Sequence, residues 1–318
     1  MFILADNNKI GKELRAVVVD ALKEVMAENE NVVALDADLG GASKWTDIAK
    51  DTPNRFINVG IAEANMVGVA AGLSLTGFTP FIHTFAPFAT RRVLDQIYLS
   101  GAYGKNTINI FGSDPGFAAG QNGGTHTTWE DIAVLRSIPE VVICDAADAV
   151  QMKWIISEFS KLQGVHYVRG NRKGVRNIYA EGSTFQIGKG NLLKKGKDYL
   201  IVAAGQLVSE AMEVANELEK NSEGISVDVI DMFTIKPLDK KLLLDRFVGK
   251  KGVITIENHS ITGGLGSAVS EVLSDNGLAI PLKRIGVTDR FGQVGTPEFL
   301  QEEFGLTTEK ILSQLTTI

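Results

Sequence analysis

Residues 55–76 read RFINVGIAEANMVGVAAGLSLT, and the fold follows from this stretch. Its first part, 55–59, is a short run with the β-branched residues Ile57 and Val59, which is typical of a strand. Its second part, 62–76, is a longer apolar segment, which favours a helix. A strand that leads through a short glycine-containing turn into a helix is half of a βαβ unit. The stretch therefore predicts a parallel sheet covered by helices.

The same alternation of short β-branched runs and longer amphipathic segments extends in both directions. Further strands are predicted at 32–35, 107–111, 141–144 and 165–168, and further helices at 14–28, 128–135 and 147–160. Residues 170–197 are rich in Gly, Lys, Asn and Ser, which indicates a linker with a short hairpin or an edge strand. A second alternating series follows at 199–203, 208–218, 227–230, 253–256, 266–273 and 282–285.

These patterns predict an α/β protein of two domains, each a mainly parallel sheet with helices on both faces. The boundary is placed in the linker, so that the first domain comprises residues 1–180 and the second comprises residues 181–318. A length of 318 residues fits this division, since domains average about 150 residues.

The composition argues against several classes of function. A formal net charge of −6 disfavours general binding of nucleic acids, which requires a basic surface. No apolar stretch approaches the roughly 20 residues that span a bilayer. Residues 1–12 lack the layout of a signal peptide, so a cytoplasmic protein is expected. The single cysteine, Cys144, ends an apolar run and is predicted to be a buried structural thiol.

Several predicted strands end at an acidic residue. In open parallel sheets, ligands bind at the carboxyl ends of the strands, so these positions are candidates for function. An acidic residue in front of a helix is also a good N-cap, and this structural interpretation is preferred for Asp145 and Asp231. The positions are Asp36, Asp114, Asp145, Asp231 and Glu257.

Glu63 lies in the first turn of the helix predicted at 62–76, where the helix dipole favours a carboxylate. Taken alone, it fits either a stabiliser of the helix N-terminus or a functional group. Gly68 and Gly72 give the same helix little side-chain bulk, which suits close packing.

Two further segments accompany Glu63. Residues 80–88, PFIHTFAPF, place Phe85 and Phe88 three residues apart, either as core residues or as a flat apolar wall for a heteroaromatic ring. Residues 120–126, GQNGGTH, form a glycine-rich loop that ends at His126. A histidine on such a loop is a candidate proton-transfer group, although single histidines are often structural.

These three segments, in this order, resemble the pyrimidine-binding half of the transketolase family. The resemblance covers nearly the whole chain and implies the thiamine-binding pyrimidine fold followed by a transketolase C-terminal domain. Its other motifs are LDADL at 35–39, RSIP at 136–139, TIENH at 255–259, GGLGSAV at 263–269 and GVTDRFG at 286–292.

The resemblance also implies roles for individual residues toward thiamine diphosphate. Glu63 would hydrogen-bond the N1′ atom of the aminopyrimidine, and Phe85 and Phe88 would stack on that ring. Asp38 and Ile61 would border the cofactor. His126 would face the substrate oxygens as an acid–base or oxyanion-stabilising group.

Substrate residues are implied in the same way. Arg15, Ser43 and Arg169 match positions that hold the phosphate of a sugar phosphate, and arginine suits this role through its planar, bidentate donors. Asn122 stands where typical transketolases carry an aspartate that recognises an acceptor hydroxyl. Asp114 stands near a position that is usually histidine. Both departures leave the acceptor open, and an unusual sugar phosphate or a related anionic sugar is expected.

The chain contains no Gly-Asp-Gly motif, through which the family binds the diphosphate and Mg²⁺. The resemblance therefore implies an N-terminal partner subunit that supplies the diphosphate and the metal ligands, in an α2β2 heterotetramer. The expected activity is transfer of a two-carbon ketol unit from a ketose to an aldose. The alternatives are a 2-oxoacid dehydrogenase β subunit, a fragment of a 1-deoxyxylulose-5-phosphate synthase, and a non-catalytic scaffolding subunit.

Overall fold

The computed structural model describes residues 1–221 and 224–315, in which two sheets are flanked by helices. The strands are β1 Val32–Asp36, β2 Phe56–Asn58, β3 Thr79–Phe85, β4 Ile108–Ser113, β5 Val142–Asp145, β6 Val165–Gly170, β7 Asn191–Lys194, β8 Tyr199–Ala203, β9 Val227–Asp231, β10 Thr234–Lys236, β11 Gly252–Ser260 and β12 Leu282–Val287. The helices are α1 Leu14–Glu28, α2 Gly40–Ser43, α3 Thr46–Asp51, α4 Glu63–Leu75, α5 Ala86–Ala89, α6 Leu94–Gln96, α7 Asp131–Arg136, α8 Ala149–Phe159, α9 Val208–Asn221, α10 Lys240–Phe247, α11 Leu265–Asp275, α12 Pro297–Glu303 and α13 Thr308–Leu315.

The first sheet has seven strands in the order β10-β5-β6-β4-β3-β1-β2. All neighbours are parallel except β10, which runs antiparallel to β5. The five predicted strands of this sheet are confirmed. The central strand β3 was not among them, because Pro80, His83 and Thr84 interrupt its apolar pattern although all three side chains are buried.

The second sheet has five strands in the order β12-β11-β8-β9-β7. Its strands are parallel except β7, which pairs antiparallel with β9 and is the edge strand that the linker composition suggested. The prediction of two mainly parallel α/β units is confirmed. The boundary at residue 180 stays a prediction, and β10, which lies beyond that boundary, adds to the first sheet.

Most predicted helices are present, and α1 has the predicted bounds. Helix α7 begins three residues later than the predicted 128–135. The backbone carbonyl of Thr128 accepts from the amide of Gly116, and that of Trp129 accepts from the amide of Ser260. These residues therefore bond to a loop and to the second sheet instead of starting the helix.

The core confirms the interpretation of Cys144 as a buried thiol. Cys144 is fully buried among apolar side chains that join α1, α8 and one face of the first sheet. Burial raises the pKa of its thiol well above the ordinary value. No helix within the described residues is long and apolar enough to cross a membrane.

Candidate active site

A tight turn presents Glu63 at the first position of α4. The amide of Gly60 donates to Oδ1 of Asn58 at 2.9 Å, and Gly60 has φ +75°, a conformation that glycine adopts without a Cβ penalty. Helix α4 then begins at Glu63, whose side chain is only 6% exposed. A buried carboxylate at a helix N-terminus is stabilised by the helix dipole and is poised to accept a hydrogen bond.

Phe85, Phe88 and His126 form one aromatic cluster. Phe85 ends β3, and Phe88 lies on the short helix α5 that follows. The two phenyl rings meet edge to face with centroids 6.0 Å apart. The His126 imidazole lies 5.3 Å from the Phe85 centroid and 5.1 Å from the Phe88 centroid. The structure therefore brings together three side chains from segments about 40 residues apart in the sequence.

Arg92 links this cluster to Glu63. Its guanidinium forms an ion pair with the Glu63 carboxylate, and its Cζ lies 3.6 Å from the centroid of the Phe88 ring. The Phe85, Phe88 and His126 rings thus contact one another, and Arg92 connects Phe88 to Glu63. Arg92 was missed, and its place beside Arg91 in a basic pair directly after the aromatic segment was the only available signal.

The loop that follows β12 supports the glycine-rich loop that carries His126. A Cβ added at Gly124 would lie 2.5 Å from the carbonyl oxygen of Gly292, and one added at Gly123 would lie 2.8 Å from Val294. Glycine is required at both positions because the loop packs against residues 292–294. Asn122 is exposed on this loop, and His126 is half-buried, with Nδ1 2.9 Å from Oγ1 of Thr125.

Asp38 lies on a second turn beside the Glu63 loop. The Asp36 carboxylate accepts from the amides of Leu39 at 2.8 Å and Gly40 at 2.7 Å, which holds the turn. Asp38 has φ +62° and an exposed side chain, which accepts from Nδ2 of Asn58 at 3.1 Å. The same Asn58 side chain also fixes Gly60, so the Asp38 turn and the turn before Glu63 are joined.

Ile61, the other residue predicted to border a cofactor, is 80% exposed. It lies two residues before Glu63, on the loop between β2 and α4. A large apolar side chain with this exposure gains stabilisation when another surface covers it.

His83 ties the Asp38 turn to the end of β4. Its Nδ1 lies 3.2 Å from the Asp36 carboxylate, and its Nε2 lies 3.2 Å from Oγ of Ser113. The ring is buried between Trp45 and Phe111, and burial lowers its pKa despite the nearby carboxylate. A neutral His83 therefore acts as a fixed hydrogen-bonding bridge in the core.

The predicted phosphate residues Arg15 and Ser43 are close in space but already engaged. Arg15 donates through Nη1 to the Ala42 carbonyl at 2.7 Å and through Nε and Nη2 to the Glu13 carboxylate. The Ser43 hydroxyl is buried and donates to the Leu39 carbonyl at 3.3 Å. The structure therefore favours Arg15 over Ser43 as a group that a ligand can reach.

Arg169 is fully buried, unlike a surface anion ligand. Its Nε lies 2.9 Å from the Asp131 carboxylate and its Nη1 lies 3.3 Å from the Asp145 carboxylate, while its Nη2 donates to the Asn258 carbonyl at 3.0 Å. Asn258 belongs to β11, so the guanidinium joins the two sheets. This geometry favours a structural role for Arg169.

Arg172 is a second arginine, besides Arg92, that lies against the aromatic cluster. Its Nε bonds to the Asp114 carboxylate, and its Cζ lies 5.0 Å from the centroid of Phe85. Neither of its Nη atoms has a hydrogen-bond partner among residues 1–221 and 224–315. Sequence reasoning missed Arg172 because the basic stretch after β6 gives no signal of which arginine turns inward.

The acidic strand ends are buried bonding groups. Asp145 pairs with Arg169, and Asp231 accepts from Gln151 at 2.7 Å, from Tyr179 and from Asn191. The N-cap interpretation of these two residues is wrong, because Asp148 caps α8 and because strand β10, not a helix, follows Asp231. Burial raises the pKa of Asp145 to about 6 and that of Asp231 to about 7.

The raised pKa of Asp231 predicts a pH-dependent effect of Asp231→Asn on stability. The folded protein retains a proton on Asp231 that the unfolded chain, with a pKa near 3.8, releases. The wild type therefore loses stability as the pH rises from about 4 to about 7, because Asp231 must then be ionised in the folded protein as well. The variant has no carboxyl group at this position and does not lose stability for this reason. Urea unfolding measures the free energy of unfolding of both proteins at pH 5 and pH 8. Relative to that of the wild type, the value for the variant should be higher at pH 8 than at pH 5 by on the order of 1 kcal/mol or more. A difference that is equal at both pH values would contradict the prediction.

A buried carboxylate, an aromatic cluster and a histidine on a glycine-rich loop form the candidate active site of this α/β protein. Two family profiles match the chain: "Transketolase, pyrimidine binding domain" over residues 11–176 and "Transketolase, C-terminal domain" over residues 188–311. The chain belongs to the transketolase family, and this membership implies dependence on thiamine diphosphate.

Three similar proteins are named as subunits, sections or split-gene forms of transketolases. The 6-deoxy-6-sulfo-D-fructose transketolase subunit SqwH of Clostridium sp. (strain MSTE9) is 42% identical over 94% of this chain and 92% of its own length. A putative transketolase C-terminal section of Methanocaldococcus jannaschii is 40% identical over 96% of this chain and 95% of its own length. A solved split-gene transketolase, described as an inactive β4 tetramer, is 40% identical with a TM-score of 0.88, over 96% of this chain and 98% of that chain.

Proposed function

We propose that this chain is the pyrimidine-binding subunit of a two-subunit transketolase that acts on sugars bearing an anionic group. The observation that carries the proposal is the cluster of the Phe85, Phe88 and His126 rings after the strands of the first sheet, which Arg92 connects to the buried Glu63 carboxylate. Two relatives that this chain matches along most of their length are named as a transketolase subunit and as a putative transketolase C-terminal section.

The residues present fit the aminopyrimidine ring of thiamine diphosphate. The Glu63 carboxylate is buried and already accepts from a planar nitrogen cation, and the Phe88 face already carries that cation at stacking distance. An aminopyrimidine needs the same two partners, a hydrogen-bond acceptor in its plane and an aromatic surface against its face. Thiamine diphosphate supplies the carbanion chemistry when bound, and the protein orients it and moves protons.

Glu63 and His126 are proposed as the proton-handling residues of this subunit. Glu63 accepts a hydrogen bond from N1′ of the cofactor ring and shares its proton. His126 is half-buried beside the Phe85 and Phe88 rings, where its imidazole can donate to the oxygens of a substrate. Asp38 and Ile61 are proposed to border the same position, from the two turns that the Asn58 side chain joins.

The substrate group is proposed to be a phosphate or a sulfonate. Arg172 presents two unbonded guanidinium nitrogens beside Phe85, and a planar fork of this kind binds an oxyanion in a bidentate manner. Asp114 holds the guanidinium from the side of the core, and the exposed Asn122 contacts the sugar hydroxyls. The similar subunit from Clostridium acts on a sulfo-sugar by its name, which supports an anionic sugar without fixing which one.

An N-terminal partner subunit is proposed to supply the diphosphate and Mg²⁺ ligands in an α2β2 assembly. Within the described residues, no group of three or more His, Cys, Asp or Glu side chains is arranged to hold a metal ion. Helix α4 offers a surface for a partner, since Gly68 and Gly72 face open space and Leu75 is exposed. Small residues allow another backbone to approach closely, and Glu63 begins this same helix.

Reconstitution tests the proposed function. The purified chain alone is expected to show no ketol transfer, whereas addition of the partner subunit, thiamine diphosphate and Mg²⁺ restores it with ketose donors. The assay follows product formation from a panel of phosphorylated, sulfonated and neutral sugars. Turnover by the single chain, or turnover of 2-oxoacids instead of ketoses, would refute the proposal.

Gly72→Leu is the matched variant for the proposed assembly surface. A Cβ at Gly72 meets no atom within 4 Å, so the folded chain tolerates the side chain. The variant is expected to retain the wild-type circular dichroism spectrum but to fail to co-elute with the partner. The exposed Gly277, on the loop after α11, provides the control as Gly277→Asn, a residue that tolerates its φ of +63°. Co-elution of both variants would place the interface elsewhere.

A further inference from the structure

Arg92 engages both groups that the proposed function assigns to the cofactor ring. Its guanidinium pairs with the Glu63 carboxylate, and its Cζ lies 3.6 Å from the centroid of Phe88. The Glu63 carboxylate lies at the N-terminus of α4, and Phe88 lies on α5. One side chain from outside both helices therefore fills the hydrogen-bonding position and the stacking position at the same time.

The Arg92 guanidinium and the aminopyrimidine ring of the cofactor are chemically alike. A guanidinium is planar, cationic and rich in N–H donors, and it stacks on aromatic faces. An aminopyrimidine whose N1′ shares a proton with a carboxylate is also planar and carries positive charge. At 3.6 Å the guanidinium is in van der Waals contact with the phenyl face, so a ring cannot occupy the same face while Arg92 remains.

The surroundings of Arg92 allow it to leave. Its side chain is 44% exposed, whereas Glu63 is buried, so the arginine is the mobile partner of the pair. The neighbouring Arg91 is held separately by Glu130. Movement of Arg92 into solvent breaks one ion pair and one cation–π contact, each of which is weak when partly exposed.

We propose that Arg92 is an internal occupant of the pyrimidine site, and that its displacement from Glu63 and Phe88 sets the affinity for thiamine diphosphate. This inference rests on the proposed function. Arg92 keeps the buried Glu63 carboxylate paired until a ring replaces the guanidinium, because an unpaired buried charge is costly. Binding of the cofactor is therefore an exchange of one planar cation for another.

Salt dependence follows from this exchange. The ion pair is open to solvent on the arginine side, so added salt screens it. Salt should weaken the competitor and thereby narrow the affinity difference between the wild type and a variant that lacks the arginine.

The experiment measures thiamine diphosphate binding to the reconstituted complex in the presence of Mg²⁺, by quenching of tryptophan fluorescence and by calorimetry. Arg92→Gln removes the cation and keeps a polar chain of similar reach. It is expected to bind the cofactor on the order of 10-fold more tightly than the wild type at low salt. Arg92→Lys keeps the charge but loses the planar stack, so its affinity should lie between the two. Arg91→Gln is the matched control and should bind like the wild type.

Two outcomes would overturn the displacement of Arg92, and a third would refute the proposed function. Weaker binding by Arg92→Gln would make Arg92 a ligand of the bound cofactor and overturn the proposal. Equal binding by Arg92→Gln and the wild type would show that the contact does not compete, which also overturns it. Failure of the wild-type complex and all variants to bind thiamine diphosphate would refute the proposed function itself, and the displacement with it.

Discussion

Glu63→Gln is expected to lower ketol transfer by the assembled complex at least 100-fold, the scale on which acid–base groups act. Glutamine preserves the size of the side chain and its capacity to accept a hydrogen bond, but it cannot take up or hold the proton of N1′. Glu63 begins α4 and is only 6% exposed, so bulk solvent has little access to its carboxylate.

The measurement is the steady-state rate with saturating cofactor, together with thermal unfolding and partner binding. Glu130→Gln is the matched control, because Glu130 also pairs with an arginine of the same basic stretch but is half-exposed. The control should retain activity within a few-fold. Near-wild-type turnover by Glu63→Gln would remove Glu63 from the mechanism.

Arg169→Met is expected to destabilise the chain by about 3–5 kcal/mol, the cost of leaving a buried charge partner uncompensated. Its guanidinium lies between the carboxylates of Asp131 and Asp145 and also bonds to the Asn258 carbonyl. Methionine fills most of the volume but leaves both carboxylates without their cation. Denaturant unfolding of the purified chain measures the effect.

Arg172→Ala is the contrasting variant. Arg172 is a quarter exposed and pairs with one carboxylate, that of Asp114, whereas Arg169 pairs with two. Asp114 keeps the hydrogen bond from the backbone amide of residue 172 at 2.7 Å, so removal of the Arg172 side chain should change stability less than Arg169→Met does. Arg172→Ala should instead raise the KM for a sugar that carries an anionic group and leave unchanged the KM for a matching sugar without that group. If Arg169→Met unfolds like the wild type and raises that KM, the phosphate role predicted from the family pattern is correct and the structural role is not.

Much of the fold could be predicted because its signals are local. Helix α1 and strand β8 have the predicted bounds, since amphipathic and β-branched periodicity are properties of consecutive residues. Strand β3 was not predicted, because its polar residues are satisfied by partners on other strands that the local sequence does not show: His83 bonds to Asp36 and Ser113. Strand β10 was not predicted, because its three residues form a strand only through their antiparallel pairing with β5.

The candidate site divides in the same way. The spacing of Phe85 and Phe88 and the glycines before His126 were visible, because close packing and special dihedrals restrict residue types at single positions. Among the arginines, no local feature separates Arg169, which is buried between two carboxylates, from Arg172, whose guanidinium reaches the Phe85 ring. Sequence distance was equally uninformative for Arg92, which meets Glu63 across 29 positions.

The sequence by itself determined two α/β units, a carboxylate in the first turn of α4 and the close spacing of Phe85 and Phe88, because helix termini, turns and spacings are encoded by neighbouring residues. Only the tertiary structure decided which cation meets which group. The order β5-β6-β4-β3 places the ends of β6 and β3, which carry Arg169 and Phe85, beside the loops that carry Arg172 and His126 at one edge of the sheet. Charge pairing and burial depend on that arrangement, since desolvation and Coulomb attraction act through space and not along the chain.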